Sequence, residues 1–323
     1  DIVSQQVFDD AVSYGGWAID IHPADGVFSE KPGCNQWHSK GVYQIPYRCL
    51  FSKNIDNLFL AGRIISASHL AFGSTRVMMT CAHTAQAVGM AAALGVKNNW
   101  KPADLLTEDR LKILQQKLIQ SGQFIPGVPL DKRQHCQFKV SSELVLDHIA
   151  ADGPWRELSF STAQLLPMAA GAVPSIEFEV KASKSTDLKV WLKKSTKPQN
   201  YTPEVPLDTR KLSLDAGIQR VRLDFEVSLS EACYVFLCLE ENESIAVKCS
   251  ESRITGLVAV YNKHNKAVSN FGRQQPDPGI GFEEFEFWTP ERRPGGHNLA
   301  LKINPPIACF SGDNLFNGWY RPY

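Results

Sequence analysis

Two side chains that could carry out acid–base chemistry stand two positions apart, Asp20 and His22. Residues 17–22 alternate like a β-strand, and residues two apart in a strand lie on the same face. A carboxylate that orients an imidazole can support proton transfer, so Asp20 and His22 are candidate catalytic residues. The same pair also occurs as a structural contact, and this alternative stays open. His69 is a third candidate acid or base, with a hydrogen-bonded structural histidine as its alternative.

A later stretch has the order expected of a cofactor-binding turn: an apolar run at 57–61, a glycine, a polar loop and a small-residue helix. The first turn of a helix offers free backbone N–H groups and a partial positive charge. Small residues there let a planar or anionic group approach, and a reduced flavin carries negative charge near its N1 and O2 edge. The candidate cofactor-binding residues are Gly62, Arg63, Gly73, Ser74, Thr75, Arg76 and Val77.

Three cationic or phenolic side chains could contact a substrate. Arg76 is predicted at the start of the helix, where a cation is unfavourable, which suggests a partner such as substrate, flavin or a carboxylate. A surface salt bridge is the alternative for Arg76. Tyr43 and Arg48 could bind an anionic or hydroxylated substrate, and the alternative for Arg48 is a pair with Asp20 or Asp56.

The elements that hold these residues follow from local patterns. Residues 14–16 predict a turn, and Pro46 marks the edge or the end of an extended segment. The apolar run at 57–61, ended by Gly62, has the form of a buried parallel strand. These patterns predict that the candidate residues lie at the ends of short strands.

Two helices are predicted next. The first opens at Gly73 and runs to about Leu94, and its composition favours a helix buried in a soluble domain over a membrane span. One face of it is small enough for close packing, and this face consists of Ala85, Val88, Gly89 and Ala92. The second runs from about 108 to 120, with Thr107 as its N-cap and Gly122 as its stop. Its apolar stripe consists of Leu111, Leu114, Leu118 and Ile119.

After a Pro- and Gly-bearing linker, the helical period gives way to alternation of apolar and polar residues. Predicted strands cover 176–180, 188–192, 221–227, 235–239, 257–261, 282–287 and 299–303. Short strands separated by turn residues favour a β-sandwich or jelly roll. Residues 262–265 are interpreted as a turn.

Composition limits the function classes. The chain has 323 residues, the length of about two domains. It has 34 basic and 34 acidic residues, so its net charge does not favour nucleic-acid binding. The hydrophobic share of 43% excludes a disordered chain. The eight cysteines show no CxxC pair and no metal-ligand spacing.

The stretch NLFLAGR at 57–63, with ISASH, AFGSTRVM and the following Ala/Gly-rich segment, resembles the flavin-contacting C-terminal part of FAD-dependent oxidoreductases. These belong to the glutathione-reductase-like superfamily, and a bacterial family within it is the nearest likeness. Residues 9–22 and 43–48 also look like that family. Some of its relatives carry a C-terminal β-sandwich and are labelled xanthan-lyase-like.

The resemblance implies a multidomain α+β protein that uses FAD. Residues 1–125 would be the C-terminal portion of the oxidoreductase domain, 126–140 a linker and 141–323 a β-sandwich. Gly62 and Arg63 would approach the cofactor's diphosphate and ribityl region, and Gly73 to Val77 would face the flavin ring. The activity implied is hydride transfer to flavin from an unknown small molecule, such as a carbohydrate or polyol. The resemblance slightly favours a periplasmic or secreted location.

The chain departs from the family because it has no G-x-G-x-x-G opening a βαβ unit. Gly279-Ile280-Gly281 lacks the third glycine. We therefore expect a fragment that lacks the N-terminal half of its FAD domain. Such a fragment would bind FAD weakly or not at all, and would be inactive alone.

A second hypothesis assigns the function to the predicted sandwich, as a carbohydrate-binding or polysaccharide-lyase-like protein. Tryptophans could stack on sugars, with core packing as the alternative. The candidates are Trp17, Trp37, Trp155, Trp191, Trp288 and Trp319. The sequence shows no convincing cluster of a base and a charge neutraliser after residue 150.

Overall fold

The computed structural model describes most of the chain in two compact units. One unit comprises residues 1–136 and 265–285, and the other 137–264 and 286–323. Both are described below for residues 2–30, 33, 35–37, 40–131, 145–197, 200–254, 257–262, 267–269, 272–274, 288–290 and 297–308. The fold is mixed α/β with mostly strands and few helices. The predicted boundaries at 125 and 141 remain predictions.

The first unit contains the helices and several short strands. Its elements before residue 132 are β1 (Ala11–Gly15), β2 (Ile19–Ile21), β3 (Asn35–Trp37), β4 (Tyr43–Pro46), α1 (His69–Thr75), α2 (Met78–Asn98) and α3 (Glu108–Gln120). Strand β1 pairs antiparallel with β4, and β2 pairs antiparallel with β3. Pro46 is the last residue of its strand, as predicted.

Two sequence predictions in this unit are wrong. Tyr14 and Gly15 lie in β1 instead of a turn. The run at 57–61 is not a buried parallel strand, because its one bridge is antiparallel, between Phe51 and Phe59, and Leu58 is 40% exposed. Leu60 N donates to Leu50 O, so this run pairs with the segment just before it. A short apolar run carries no periodicity that separates this local pairing from a buried strand.

The predicted small-residue helix is in fact two helices. Ser68 caps α1 through its Oγ, which accepts a hydrogen bond from Ala71 N at 3.3 Å. Residues 73–75 therefore end α1 and do not open α2, and the two helices meet at an angle of 96°. Cys81 N donates to Val77 O, so α2 starts immediately after the bend.

The buried face of α2 also differs from the predicted one. Ala85 and Gly89 are exposed, and Val88 and Ala92 are half-buried. The buried stripe consists of Thr80, Thr84, Ala87, Ala91 and Gly95. Met78 and Val96 are 88% and 87% exposed, so α2 is a half-exposed helix and not a buried one. Within the described residues, no single helix has the length and apolar character of a membrane span; α1 and α2 pass only as a bent pair.

The prediction for α3 is confirmed. It spans 108–120 and buries Leu111, Leu114 and Leu118. Gly122 follows it at φ +91°, a left-handed conformation that glycine adopts without strain.

The remaining strands are numbered in chain order. They are β5 (Val145–Ile149), β6 (Trp155–Leu158), β7 (Ser161–Met168), β8 (Gly171–Ala172), β9 (Ser175–Ala182), β10 (Thr186–Lys194), β11 (Val205–Leu214), β12 (Gly217–Leu223), β13 (Ser228–Leu229), β14 (Cys233–Leu239), β15 (Asn242–Ser250), β16 (Ala259–Asn262), β17 (Ala267–Ser269), β18 (Gly272–Gln274), β19 (Trp288–Pro290), β20 (Asn298–Leu299) and β21 (Leu301–Ala308). Strands β17 and β18 pair with each other and belong to the first unit. Most predicted strands fall within these bounds, whereas 225–227 is not in a strand and 282–287 lies outside the described residues.

Two antiparallel sheets make up most of the second unit. A six-stranded sheet has the order β11-β10-β14-β7-β16-β19. A seven-stranded sheet has the order β20-β15-β9-β21-β5, with β12 beside β9 and β6 beside β15. Both sheets contribute to one hydrophobic cluster, for example Leu237 from the first and Val247 from the second. Alternation along the strands therefore predicts many of the buried residues, whereas β7, β14 and β16 bury consecutive residues.

Candidate functional site

The bend between α1 and α2 holds the largest group of predicted site residues. Gly73 packs directly on the backbone of β2, since a Cβ at this position would lie 3.0 Å from Asp20 O. Any larger residue would push α1 away from the strand. The glycine predicted to admit a cofactor therefore admits the strand that carries Asp20.

Tyr43 and Ser74 contact each other inside the unit. Tyr43 Oη and Ser74 Oγ are 2.5 Å apart, and Ser74 Oγ donates to Trp17 O at 2.7 Å. Ser74 is fully buried and Tyr43 is 2% exposed, and this burial raises the pKa of the tyrosine hydroxyl. A Cβ on Gly15 would lie 2.3 Å from Tyr43 Oη. Both side chains thus join β1, β2, β4 and α1 to one another.

Asp20 lies between two cationic or titratable side chains. Arg76 Nη2 donates to Asp20 Oδ2 at 3.1 Å, and His22 Nε2 is 3.3 Å from the same oxygen. Asp20 is 12% exposed in its side chain, against 29% for Arg76 and 55% for His22. The sequence predicted the Asp20–His22 contact and a carboxylate as one possible partner of Arg76. The predicted position of Arg76 at the start of a helix is wrong. Arg76 is the C-cap of α1, where a cation is favourable.

Both ring nitrogens of His22 face acceptors. Nδ1 lies 2.8 Å from Gly33 O, and Nε2 faces the Asp20 carboxylate. A neutral imidazole has only one N–H, so only the protonated ring can donate to both. The contacts with Gly33 O and the Asp20 carboxylate orient the imidazole ring of His22.

Gly62 and the start of α2 form a second part of the site. Gly62 has φ +68°, and a Cβ built on it would lie 4.0 Å from Cys81 Cβ. Cys81 Sγ in turn lies 3.6 Å from Thr75 O, so the turn at Gly62 lies beside the helix bend. No side chain caps α2 at Val77, and Met78 and Met79 are 88% and 71% exposed. The first N–H groups of α2 therefore have no side-chain cap at the N-cap position.

The other predicted residues have varied surroundings. Arg63 and His69 are exposed, and neither makes a hydrogen bond or ion pair with another described residue. Thr75 is 5% exposed, and its Oγ1 has no hydrogen-bond partner among the described residues. The hydroxyl groups of Ser74 and Thr75 therefore face the interior of the unit.

Arg48 belongs to a different contact. Its Nε and Nη2 donate to Asp10 at 2.9 and 2.5 Å, and its backbone N donates to Asp10 Oδ2 at 3.0 Å. Its partner is thus Asp10 and neither Asp20 nor Asp56. Arg48 lines an open cleft of about 970 Å³ beside α3, together with Lys112 and Gln115.

Two tryptophans have surroundings other than those the sequence favoured, and His83 makes a ring contact. Trp17, expected in the core, is 43% exposed, whereas Trp37 is 3% exposed and cannot stack on a sugar in this state. His83 packs on Tyr14 with ring centroids 4.8 Å apart, and burial lowers its pKa. The half-buried Trp155 and Trp191 pack against Lys248 and Lys189, while Trp288 and Trp319 side chains and residues 263–265 lie outside the described residues.

A cofactor with an anionic edge fits the start of α2 better than a metal fits any described cluster. Among the described residues, no group of three His, Cys, Asp or Glu side chains could hold a metal ion. The uncapped N–H groups of α2, next to the exposed side of the Gly62 turn, suit the N1 and O2 edge of a flavin.

Comparisons with known proteins agree with this chemistry. Neither the curated proteins nor the solved structures include a match to this chain. Residues 1–118 do match the model of a family described as FAD dependent oxidoreductase, whose cofactor is FAD.

Proposed function

We propose that residues 1–125 form the C-terminal portion of an FAD-dependent oxidoreductase domain that oxidises a small hydroxylated molecule. The observation that carries this proposal is the uncapped, exposed start of α2 beside the Gly62 turn. The match of residues 1–118 to the FAD dependent oxidoreductase family supports it.

In this proposal the backbone N–H groups of Met78 and Met79 hold the anionic edge of the flavin. The positive φ of Gly62 lets the backbone turn beside α2 without a side chain in the way, and exposed Arg63 faces the cofactor's phosphates. Ser74 and Tyr43 act behind this surface, where they fix α1 against β2. When bound, FAD supplies the hydride acceptor.

Proton transfer falls to His22 or His69. His22 is oriented by Asp20 and Gly33 O, and its protonated form suits a general acid or an electrostatic role near a substrate oxygen. His69 is exposed and has no described partner, so it can accept a proton from a substrate hydroxyl. Carbohydrates and polyols are the substrate class we propose, since they present such hydroxyls.

We further propose that the second unit is a β-sandwich of the jelly-roll type. The single hydrophobic cluster shared by its two antiparallel sheets supports this assignment. The sequence has no G-x-G-x-x-G fingerprint. We therefore propose that another part of the parent protein binds the ADP portion of FAD.

Flavin titration tests the proposal. The visible spectrum and the quenching of flavin fluorescence would be followed with FAD and with FMN, on this chain and on one extended upstream by a dinucleotide-binding unit. We expect weak and similar binding of FAD and FMN by this chain, because only the flavin end is held. We expect tight, FAD-selective binding by the extended chain.

Two outcomes would contradict the proposal. Tight, stoichiometric binding of FAD by the 323-residue chain would show that this chain itself binds the ADP portion of the cofactor. If neither chain showed flavin absorption bands, the assignment of residues 1–125 to a flavin domain would be wrong.

A further inference from the structure

The interior of the second unit contains a polar cluster at one end of its two sheets. Arg156 on β6 is paired with Val247, a member of the hydrophobic cluster, so its side chain lies on the core face. Tyr261 on β16 is paired with Thr162, which is 1% exposed. Arg156 and Tyr261 therefore meet between the sheets, where apolar residues are the rule.

One half of this cluster is satisfied by its own hydrogen bonds. Gln164 Oε1 accepts from Leu299 N at 2.9 Å, and Gln164 Nε2 donates to Asn298 Oδ1 at 3.1 Å. Asn298 Nδ2 donates to Ser252 O at 3.2 Å. These amides join the two sheets and leave nothing for a ligand to complete.

Arg156 differs from these amides because half of its guanidinium has no acceptor. Nη1 donates to Tyr261 Oη and to His297 O, the latter at 3.3 Å. Nε and Nη2 are shielded from solvent and have no hydrogen-bond partner among the described residues. The guanidinium carbon also lies 4.8 Å from the centre of the Tyr261 ring, so the ring partly offsets the charge.

Other arginines in the described part of the chain have the carboxylate partner that Arg156 lacks. Arg76, Arg220 and Arg222 each lie within 4 Å of a carboxylate oxygen, although all three are at the surface. Arg156 has no such pair in the part of the chain that is described, although its Nε and Nη2 are shielded from solvent. A buried N–H donor without an acceptor costs more free energy than an exposed one.

We propose that Arg156 is the centre of a binding site for a small carboxylate. Nε and Nη2 form the side-on edge of the guanidinium, whose two parallel N–H groups match the two oxygens of a carboxylate. Tyr261 Oη and His297 O fix the opposite edge and so orient the free one. The site is independent of the flavin proposed for residues 1–125.

The surroundings of Arg156 suit an anion near the surface of the unit. Lys248 Nζ donates to Gly153 O at 2.6 Å and lies 5.7 Å from the ring of Trp155, the residue before Arg156. His297 pairs with Glu251 at 3.1 Å, and their side chains are 18% and 63% exposed. Because the free donors are shielded, entry of a carboxylate requires neighbouring side chains to move aside.

NMR of the arginine Nε–Hε groups tests the site directly. The protein would be titrated with sodium acetate, and separately with sodium chloride at the same ionic strength. The Arg156 resonance is identified by its loss in Arg156→Lys, with Arg253→Lys as the matched control, because Arg253 is exposed on the same unit. We expect the Arg156 Hε resonance to shift saturably with acetate and not with chloride.

The variants give the second readout. Loss of the bidentate edge in Arg156→Lys should weaken acetate binding by roughly 10- to 100-fold, since a charge-assisted hydrogen bond contributes about 1.5–3 kcal/mol. Tyr261→Phe keeps the ring and removes the hydroxyl that orients Nη1, and should weaken binding less. It also tests the proposal if Arg156→Lys does not fold.

An unshifted Arg156 resonance in the wild-type protein would overturn the proposal, since it would mean that Nε takes no external carboxylate. So would acetate binding of equal strength in Arg156→Lys and Arg253→Lys. Glucuronate and glucose, added in place of acetate, distinguish recognition of a carboxylate from recognition of sugar hydroxyls. A shift with glucose as large as with glucuronate would also contradict a carboxylate site.

Discussion

Arg76 Nη2 lies 3.1 Å from Asp20 Oδ2, and this contact ties the bend between α1 and α2 to β2. Gly73, three residues earlier, allows the close approach that the contact needs. The bend in turn exposes the first turn of α2. The geometry of the candidate flavin site therefore depends on the Asp20 carboxylate and on Gly73.

Asp20→Asn should destabilise the first unit by about 1–2 kcal/mol, because it removes the counter-charge of Arg76 and His22 in a largely shielded place. Denaturant unfolding measures the change. Asp56→Asn is the matched control, since Asp56 pairs with Lys101 at 2.6 Å while 73% of its side chain is exposed. We expect no measurable loss in the control. Equal effects of the two substitutions would contradict a structural role for the Asp20 pair.

Ser74→Ala should cost about 1–3 kcal/mol, because it leaves Trp17 O and Tyr43 Oη buried without their partner. Tyr43→Phe should cost about 1 kcal/mol. The double variant should lose less than the sum of the two, since both single changes break the same contact. Additive losses, measured by denaturant unfolding, would show that the two hydroxyls do not interact.

Arg48→Met should destabilise the protein by about 1–2 kcal/mol, because the Asp10 carboxylate is 6% exposed and keeps only the backbone N of residue 48 as a donor. Lys112→Met is the control, since Lys112 is exposed in the same cleft and has no described partner. Thermal unfolding separates the two. If Arg48→Met left stability unchanged, the Asp10 contact would not be structural and a substrate role for Arg48 would gain weight.

His83 should make stability depend on pH. Burial lowers its pKa from the ordinary value of 6.5, so the unfolded chain binds a proton before the folded one does. Its contribution is fully present above pH 6.5 and is lost as the pH falls from there through the folded-state pKa. His83→Phe keeps a ring against Tyr14 and removes Nδ1, which is buried without a partner among the described residues.

Unfolding free energies between mildly acidic and neutral pH test this prediction. The profile of His83→Phe should be flatter than that of the wild type. His69→Gln, an exposed histidine, should leave the profile as it is. An unchanged slope in His83→Phe would show that another group titrates.

Local patterns predicted the features that depend on few residues. The period of α3, with Thr107 before it and Gly122 after it, predicted its bounds, because each signal acts within one turn. Alternation predicted β9, β10 and β14 for the same reason. The family resemblance supplied the flavin, which composition and spacing alone suggested only as an anionic planar group.

Features that depend on distant contacts were not predictable. Nothing in residues 69–98 signals the bend, because Gly73 is required by Asp20, 53 positions earlier in the chain. The Arg48–Asp10 pair and the exposure of Trp17 likewise depend on how β1, β2 and β4 meet. Arg156 and Tyr261, which are 105 residues apart, lie together only once the two sheets have formed.

Two matched N-cap substitutions test most directly whether the start of α2 holds the flavin, as we propose. Val77 (φ −73°, ψ 148°) and Thr107 (φ −67°, ψ 142°) have nearly the same backbone angles, and neither caps its helix with a side chain. Aspartate at either position should stabilise its helix by up to about 1 kcal/mol. Only Val77→Asp places a carboxylate on the N–H groups proposed to hold the flavin.

The measurement is the flavin dissociation constant of Val77→Asp and Thr107→Asp in the extended chain. We predict that Val77→Asp weakens flavin binding about tenfold, equal to about 1.4 kcal/mol, while Thr107→Asp leaves it unchanged. Equal flavin affinity in the two variants would contradict the claim.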